Sequence, residues 1–408
     1  MSLLPTLLAS VAALTAQSGA EPVRVGVLSL LRPEAVRITC AEGAVLVAGD
    51  NTAPISLAPG ERITVEAGAA ELAIIAACSE PSAAEWELPA CASCRICGPG
   101  GAPARLSVEV LRPLPFNRTL SGTLEIRAGA GRLQMILEVE LEELVATVAA
   151  AELGADVAQA AAAALAVAVR SYVAANRGRH GAEGFDICDS THCVLFRGES
   201  GAFGPLGGRS LELGRSAARL TAGLVLTDGG RVVPGYFHAC CGGATASPAQ
   251  IWGPGSGSDA LAQVRCGLCS SSPHFGWQRR APLEDILASL GIEAETGCLS
   301  VTHSRNSALA ETVRVECGGE QVVFTAEQFR IQIGRALGWN VVRSNCFTVR
   351  RENDEVVFEG RGFGHGVGLC LAGAVEAASR GWTWLQIIRH YFPRWAVTPL
   401  SAIPGAER

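Results

Sequence analysis

Lysine is absent from this 408-residue chain, and all 33 basic side chains are arginine. That bias reflects coding composition, and no function is read from it. A basic cluster is missing too. The net charge is −6, which argues against nucleic acid as a partner. Beyond the N-terminus no apolar run approaches the ~20 residues of a spanning helix, because the alanine-rich stretch 158–169 ends at Arg170. The mature chain is therefore expected to be soluble. There is no GxSxG elbow and no HExxH helix. Histidine, cysteine and asparagine are all present, so a thiol hydrolase stays open, but no cysteine stands at an obvious strand-to-helix turn. No internal repeat is visible.

Hydrophobic residues make up 49 % of the chain and charged residues 18 %, which excludes wholesale disorder. The length allows two or three domains. The first twenty residues, MSLLPTLLASVAALTAQSGA, resemble a signal peptide without its positively charged n-region. A mis-assigned start or a short core segment is the alternative. The 15 cysteines fit an oxidising compartment, and the odd count leaves at least one free, metal-bound or intermolecular. The expected location is outside the cytoplasm, in the periplasm or cell envelope.

The expected fold class is α+β. Residues 21–130 form a β-rich region, because VRVGVLSLL, VRITC, AVLVAG, RITVEAG and ELAIIAAC are β-branched runs divided by turn residues. A mixed α/β domain follows over 131–400, with a separable segment at 282–345 and a tail at 401–408. Within the first region, Cys91-x2-Cys94-x2-Cys97 precedes GPGGAP. Three cysteines at that spacing supply half of an iron–sulfur or zinc site, but no fourth ligand follows at a standard offset. A disulfide-bearing surface loop is expected there. Residues 180–280 read as loop and strand.

The chain is organised around Leu141–Asn176. Apolar residues at 141, 144, 145 and 148 mark one helix face, and one further turn lands on Glu152. Gly154 supplies a stop, Asp156 an N-cap, and a second helix runs to about Asn176. The result is a helical hairpin with an acid at its elbow. The negative end of a helix and an apolar surround both disfavour a carboxylate, so Glu152 is placed to be a proton donor. The competing reading is a solvated glutamate at a frayed helix end.

Three further clusters stand out. His180, Cys188, His192 and Cys193 carry the favoured ligands of a closed tetrahedral zinc site; a Cys188–Cys193 disulfide is the alternative. In GRGFGHGVG, residues 360–368, glycine at every second position leaves a strand with one bare face, open to a ligand or another backbone. His365 lies on its other face, as a ligand group or as a satisfied core histidine. Lastly, His238, Cys240, Cys241, Gly242, Gly243 and Thr245 are followed by Trp252 and by Cys266-x2-Cys269. One bridge between these cysteine pairs would pin the loop carrying His238 and Thr245.

Taken together these segments resemble the SpoIID/LytB family of bacterial cell-wall proteins. The resemblance runs in order over roughly 130–395: Leu141-Glu-Glu-Leu to Glu152-Leu, Val169-Arg170-Ser-Tyr172, Asp186-Ile-Cys188-Asp-Ser-Thr-His192-Cys193, Tyr236-Phe-His238 to Trp252, and Gly362 to Gly368. It implies lytic transglycosylase activity on peptidoglycan glycan strands stripped of their peptides by an N-acetylmuramoyl-L-alanine amidase. It also implies Glu152 as the catalytic acid and a structural zinc on His180, Cys188, His192 and Cys193, with no cofactor needed for catalysis. Arg170, Tyr172, His238, Thr245 and His365 are the candidates for a sugar-binding cleft. Val194 and Leu371 stand where many members have glutamine, Leu144 replaces a tyrosine, and Gly154 replaces a proline. An expected S-G-R motif reads Ser304-Arg-Asn-Ser307-Ala308. Such departures mean altered substrate contacts or a retired active site, and the latter feeds the main rival to the preferred enzyme reading, a glycan-binding or amidase-enhancing protein that does not cut. A third reading is a zinc-stabilised envelope adaptor.

Overall fold

The β-branched runs of the first hundred residues become strands with period-two burial: Val23–Val27, Ala35–Cys40, Ala44–Ala48, Arg62–Ala67 and Leu72–Ala77. The computed structural model describes residues 22–49, 52–77, 86–201, 204–256, 261–294, 296–305 and 307–404. The signal-peptide-like segment 1–20 lies outside the described residues. The strands join Ala104–Arg112, Phe116–Gly129 and Arg132–Val139 in one 12-stranded sheet.

That sheet runs straight through residue 130, where the β-rich region was expected to end. Ala130 and Gly131 form the tight turn between two paired strands, with Gly129 opposite Arg132. The first strand pairs antiparallel with Arg132–Val139, Val23 facing Val139. On its other edge it pairs in parallel with Ile187–Cys188.

The Cys91–Cys97 segment corrects another expectation. Ser93–Cys97 is a strand, not a surface loop, hydrogen-bonded between Phe116–Gly129 and Ala44–Ala48. Cys94 and Ile96 alternate into the core, and this alternation prevails over the Pro/Gly-rich flank. None of the fourteen described cysteines is in a disulfide.

The helices are α1 Leu141–Leu153, α2 Gln159–Ala175, α3 Gly208–Leu220, α4 Pro248–Trp252, α5 Leu283–Ser289, α6 Ala326–Leu337, α7 Leu371–Ser379 and α8 Trp384–Tyr391. Helices α1 and α2 form the expected hairpin, and Gly154 ends α1 at φ 72°. The N-cap of α2 is Ala158 rather than Asp156, which stays exposed in the elbow and pairs with Arg209 at 3.4 Å. Every residue of α2 from Ala161 to Val173 is buried. Its alanines let neighbouring elements approach on all sides.

Helix α3 lies where loop and strand were expected. It seats on α1 through Gly214, where a Cβ would come 2.2 Å from the Ala146 carbonyl oxygen. Its apolar stripe is thin because small residues make the contact. A second core spans Trp277 to Phe358, built by α5, α6 and two three-stranded sheets. It takes in strands Phe347–Glu352 and Glu355–Arg361, beyond the expected 282–345 segment.

The glycine-rich stretch is not an extended strand. The strand ends at Arg361, and Gly362, Gly364, Gly366 and Gly368 all take positive φ, 76–102°. What comes close to the bare positions is backbone: a Cβ on Gly368 would lie 2.2 Å from the Tyr236 carbonyl oxygen, and one on Gly362 2.6 Å from that of Cys240.

Candidate functional site

Glu152 occupies the last turn of α1, half-buried. Among the described residues its carboxylate accepts no hydrogen bond. Burial pushes its pKa up to about 7, with the half-buried Arg197 guanidinium opposing the shift. The two influences favour opposite protonation states, so the group is poised to give up a proton and to take one. Arg197 was not singled out in the sequence; nothing in its local pattern marks it.

The hairpin is antiparallel. Arg170, wholly buried, makes a two-pronged ion pair with Glu142 in the first turn of α1, at 2.8 and 2.6 Å. Its remaining N–H groups reach the carbonyls of Leu224 and Ala218. Arg170 is thus a tie within the helical layer and faces no cleft. Thr245 likewise differs from expectation. It is 2 % exposed, and its hydroxyl accepts from the Val264 N–H at 2.8 Å. Tyr172 is buried, with its hydroxyl donating weakly to the His192 carbonyl at 3.5 Å. From the start of α2 at Gln159 to Tyr172 is about 20 Å along the axis, so Tyr172 and Glu152 sit at opposite ends of the hairpin.

Around Tyr172 lies a group of rings. Tyr236 meets it edge-on at 5.9 Å, Trp252 lies 4.9 Å from Tyr236, and His365 lies 5.4 Å from Trp252. Trp252 is 36 % exposed. His238 and His365 are both held neutral. Burial lowers His238 to about 4, and burial followed by the neighbouring His238 holds His365 well below the usual range. His238 Nε2 is buried with no partner among the described residues.

His180, Cys188, His192 and Cys193 converge, with their ligand atoms all within 4.8 Å of one another. Sulfur–nitrogen separations are 3.4 Å (Cys193 to His180 Nε2), 3.5 Å (Cys193 to His192 Nδ1) and 3.7 Å (Cys188 to His192 Nδ1). A tetrahedral zinc ion with ordinary bond lengths sets such donors about 3.6 Å apart, so the set fits one. The hydrogen bond between the two thiols pulls Cys188 down and pushes Cys193 up, so the pair shares one proton without a metal, and a bound ion would displace it. His180 Nδ1 meets Glu183 at 2.6 Å, leaving Nε2 toward the cluster.

Two aspartates that the sequence reading quoted in the Asp186–Cys193 motif but gave no role shape this loop. Asp186 accepts from the Arg24 and Gly178 N–H groups at 3.0 and 2.9 Å. Asp189 accepts from the Leu28 N–H at 2.7 Å and pairs with Arg118 at 2.6 Å. They flank Cys188 on either side, and the signal for them was their repetition around it.

Residues 129–227 match the SpoIID family, described as stage II sporulation protein. The chain is 26 % identical over 166 residues to an uncharacterized protein of Brachyspira hyodysenteriae, covering 40 % of this chain and 42 % of that one. It is 22 % identical over 298 residues to Stage II sporulation protein D of Bacillus subtilis, covering 71 % of this chain and 81 % of that one. The chain thus spans under half the length of the first relative and most of the second. Among the described residues no helix is long and apolar enough to cross a membrane.

Proposed function

The chain belongs to the SpoIID family, whose function is tied to the cell wall, and from that premise we propose that it is a peptidoglycan lytic transglycosylase acting through Glu152. The observation that carries this reading is the Glu152 carboxyl in the last turn of α1, which accepts no hydrogen bond among the described residues and whose burial pushes its pKa up to about 7. Ordinary glycosidases use two carboxyl groups, one of them to activate water or form a covalent intermediate. Here one suffices. Protonated Glu152 donates to the glycosidic oxygen as the bond to the anomeric carbon of the muramic acid breaks. The resulting carboxylate then takes the proton of that sugar's 6-hydroxyl, whose oxygen bonds to the anomeric carbon and closes a 1,6-anhydro ring. Arg197 favours the carboxylate formed midway.

His180, Cys188, His192 and Cys193 would hold a zinc ion, which when bound supplies a structural clamp because protein ligands fill all four positions. The preferred substrate is a strand stripped by an N-acetylmuramoyl-L-alanine amidase, and the location is the cell envelope. A second reading, a non-cutting glycan binder or amidase enhancer, is favoured by the rings of Tyr236, Trp252 and His365. Trp252 is exposed, with Tyr236 and His365 half-buried beside it, and Tyr236 meets Tyr172 near the end of α2 away from the elbow.

Mass spectrometry of intact and amidase-stripped peptidoglycan after incubation separates the two. Anhydro-sugar products from the wild type and none from Glu152→Gln support the enzyme. Absence of products from both substrates, with the chain still sedimenting with sacculi, would leave the binder.

A further inference from the structure

We propose a second metal centre, a closed four-thiolate site that binds one zinc ion through Cys241, Cys266, Cys269 and Cys370. The sulfurs of these four residues lie within 4.8 Å of one another, and all four residues are buried. The bridge expected between the cysteine pairs is not formed: Cys241 and Cys269 stand 3.5 Å apart, well beyond the ~2.05 Å of a disulfide. A tetrahedral ion with zinc–sulfur bonds of ~2.3 Å sets its sulfurs about 3.8 Å apart. The observed convergence is therefore that of ligands around one ion. A multi-iron cluster would need a wider cage.

The surroundings are those of bound thiolates. Cys370 Sγ accepts from the Cys241 N–H at 3.3 Å and from the Gly373 N–H at 3.4 Å, and Tyr391 Oη lies 3.1 Å from Cys266 Sγ. Gly373 makes this cradle feasible, because a Cβ there would come 2.0 Å from Tyr391 Oη and 2.8 Å from Cys266 Sγ. Cys266-Gly267-Leu268-Cys269 has a metal-ligand spacing, and its turn is made by Gly267 at φ 65°. Cys240, the chain neighbour of Cys241, is also buried and stands outside this set of four.

Four soft sulfur donors select zinc over the hard divalent cations, and with no open position the role is structural. The ion would tie three separate pieces: the loop after strand Phe237–His238, the 261–275 loop, and the junction where strand Leu369–Cys370 enters α7. Those pieces carry the ring surface of Tyr236, Trp252 and His365.

X-ray absorption at the zinc edge of the zinc-loaded full chain reads the ligands directly. With both centres filled, an average of three sulfurs and one nitrogen per zinc is expected; with this centre alone filled, four sulfurs. Two sulfurs and two nitrogens per zinc, or no zinc retained, would overturn the proposal. Cobalt(II) loading of Cys188→Ser/Cys193→Ser, which lacks the other cluster's thiolates, is the companion measurement. Sulfur-to-cobalt charge-transfer bands and a tetrahedral d–d spectrum should persist. Their absence in a variant that circular dichroism shows to be folded would count against the site. So would peptide mapping of unreduced wild type that finds these four cysteines in disulfides.

Discussion

His238 and His365 hold the same residue, Val367, from opposite directions and in opposite tautomers. His238 donates from Nδ1 to the Val367 carbonyl at 3.0 Å, while His365 Nδ1 accepts from the Val367 N–H at 3.0 Å. The glycine-rich ribbon is thereby fixed near its C-terminal end.

Replacing His238 by leucine strands a buried carbonyl and should destabilise the chain by about 1–3 kcal/mol. Asparagine, whose side-chain amide reaches a similar position, should recover much of the loss. Urea denaturation of the two variants checks this; equal losses would mean that ring volume rather than the hydrogen bond matters.

Glu152 makes stability and activity depend on pH in linked ways. Its folded pKa is about 7 against 4.5 for the free group, so between these values the folded state binds more protons than the unfolded. The contribution is fully present below about pH 4.5 and is lost as pH rises through about 7. Urea midpoints of wild type should therefore fall relative to Glu152→Gln across this window, and the difference should be constant above it. Anhydro-sugar production should decline on the alkaline side of about 7, where the donor has lost its proton.

Gly214 sets the spacing of α1 and α3. Alanine there would meet the Ala146 carbonyl oxygen and force the helices apart, at a cost of about 2 kcal/mol. Thermal melting measures the loss, and hydrogen exchange should locate it in α1 and α3.

Trp252 is the exposed member of the ring surface. If glycan stacks there, Trp252→Ala should weaken binding to stripped strands about tenfold, or ~1.4 kcal/mol, while leaving the fold intact. Quenching of intrinsic fluorescence by soluble strands provides the measurement in wild type, and sedimentation with sacculi compares the two proteins.

The hairpin and its acid were legible in the sequence because they rest on local signals, a helical period and a glycine stop. Helix α3 was passed over although its sequence has a helical period: the face it buries, Ser210, Gly214, Ala217 and Ala218, is made of small residues that do not announce a core contact. Asp156 was misplaced by two positions because an elbow's length is set by packing and not by capping preference. The candidate sugar ligands fared unevenly. Arg170 and Thr245 have the right chemistry, but the structure engages them internally, and exposure is a tertiary property that no motif encodes. Cys370 escaped notice as a partner of Cys266 and Cys269 because about a hundred residues separate them. The parallel pairing of Phe237–His238 with Leu369–Cys370 brings Cys370 beside Cys241, and the bridge between Ala244 and Arg265 brings Cys266 and Cys269 to the same loop.

The first strand, Val23–Val27, is wedged between Arg132–Val139 and Ile187–Cys188, both of which lie inside the family-matched stretch. That stretch is therefore not self-sufficient: its own two β segments are joined through a strand contributed from a hundred residues upstream. An excised 129–227 piece would strip Arg132–Val139 of both its neighbours, leave Ile187–Cys188 unpaired as well, and release the backbone on which Cys188 is mounted. On the ribosome the wedge emerges first and must wait for both neighbours, so the cysteine–histidine loop can be secured only late in folding.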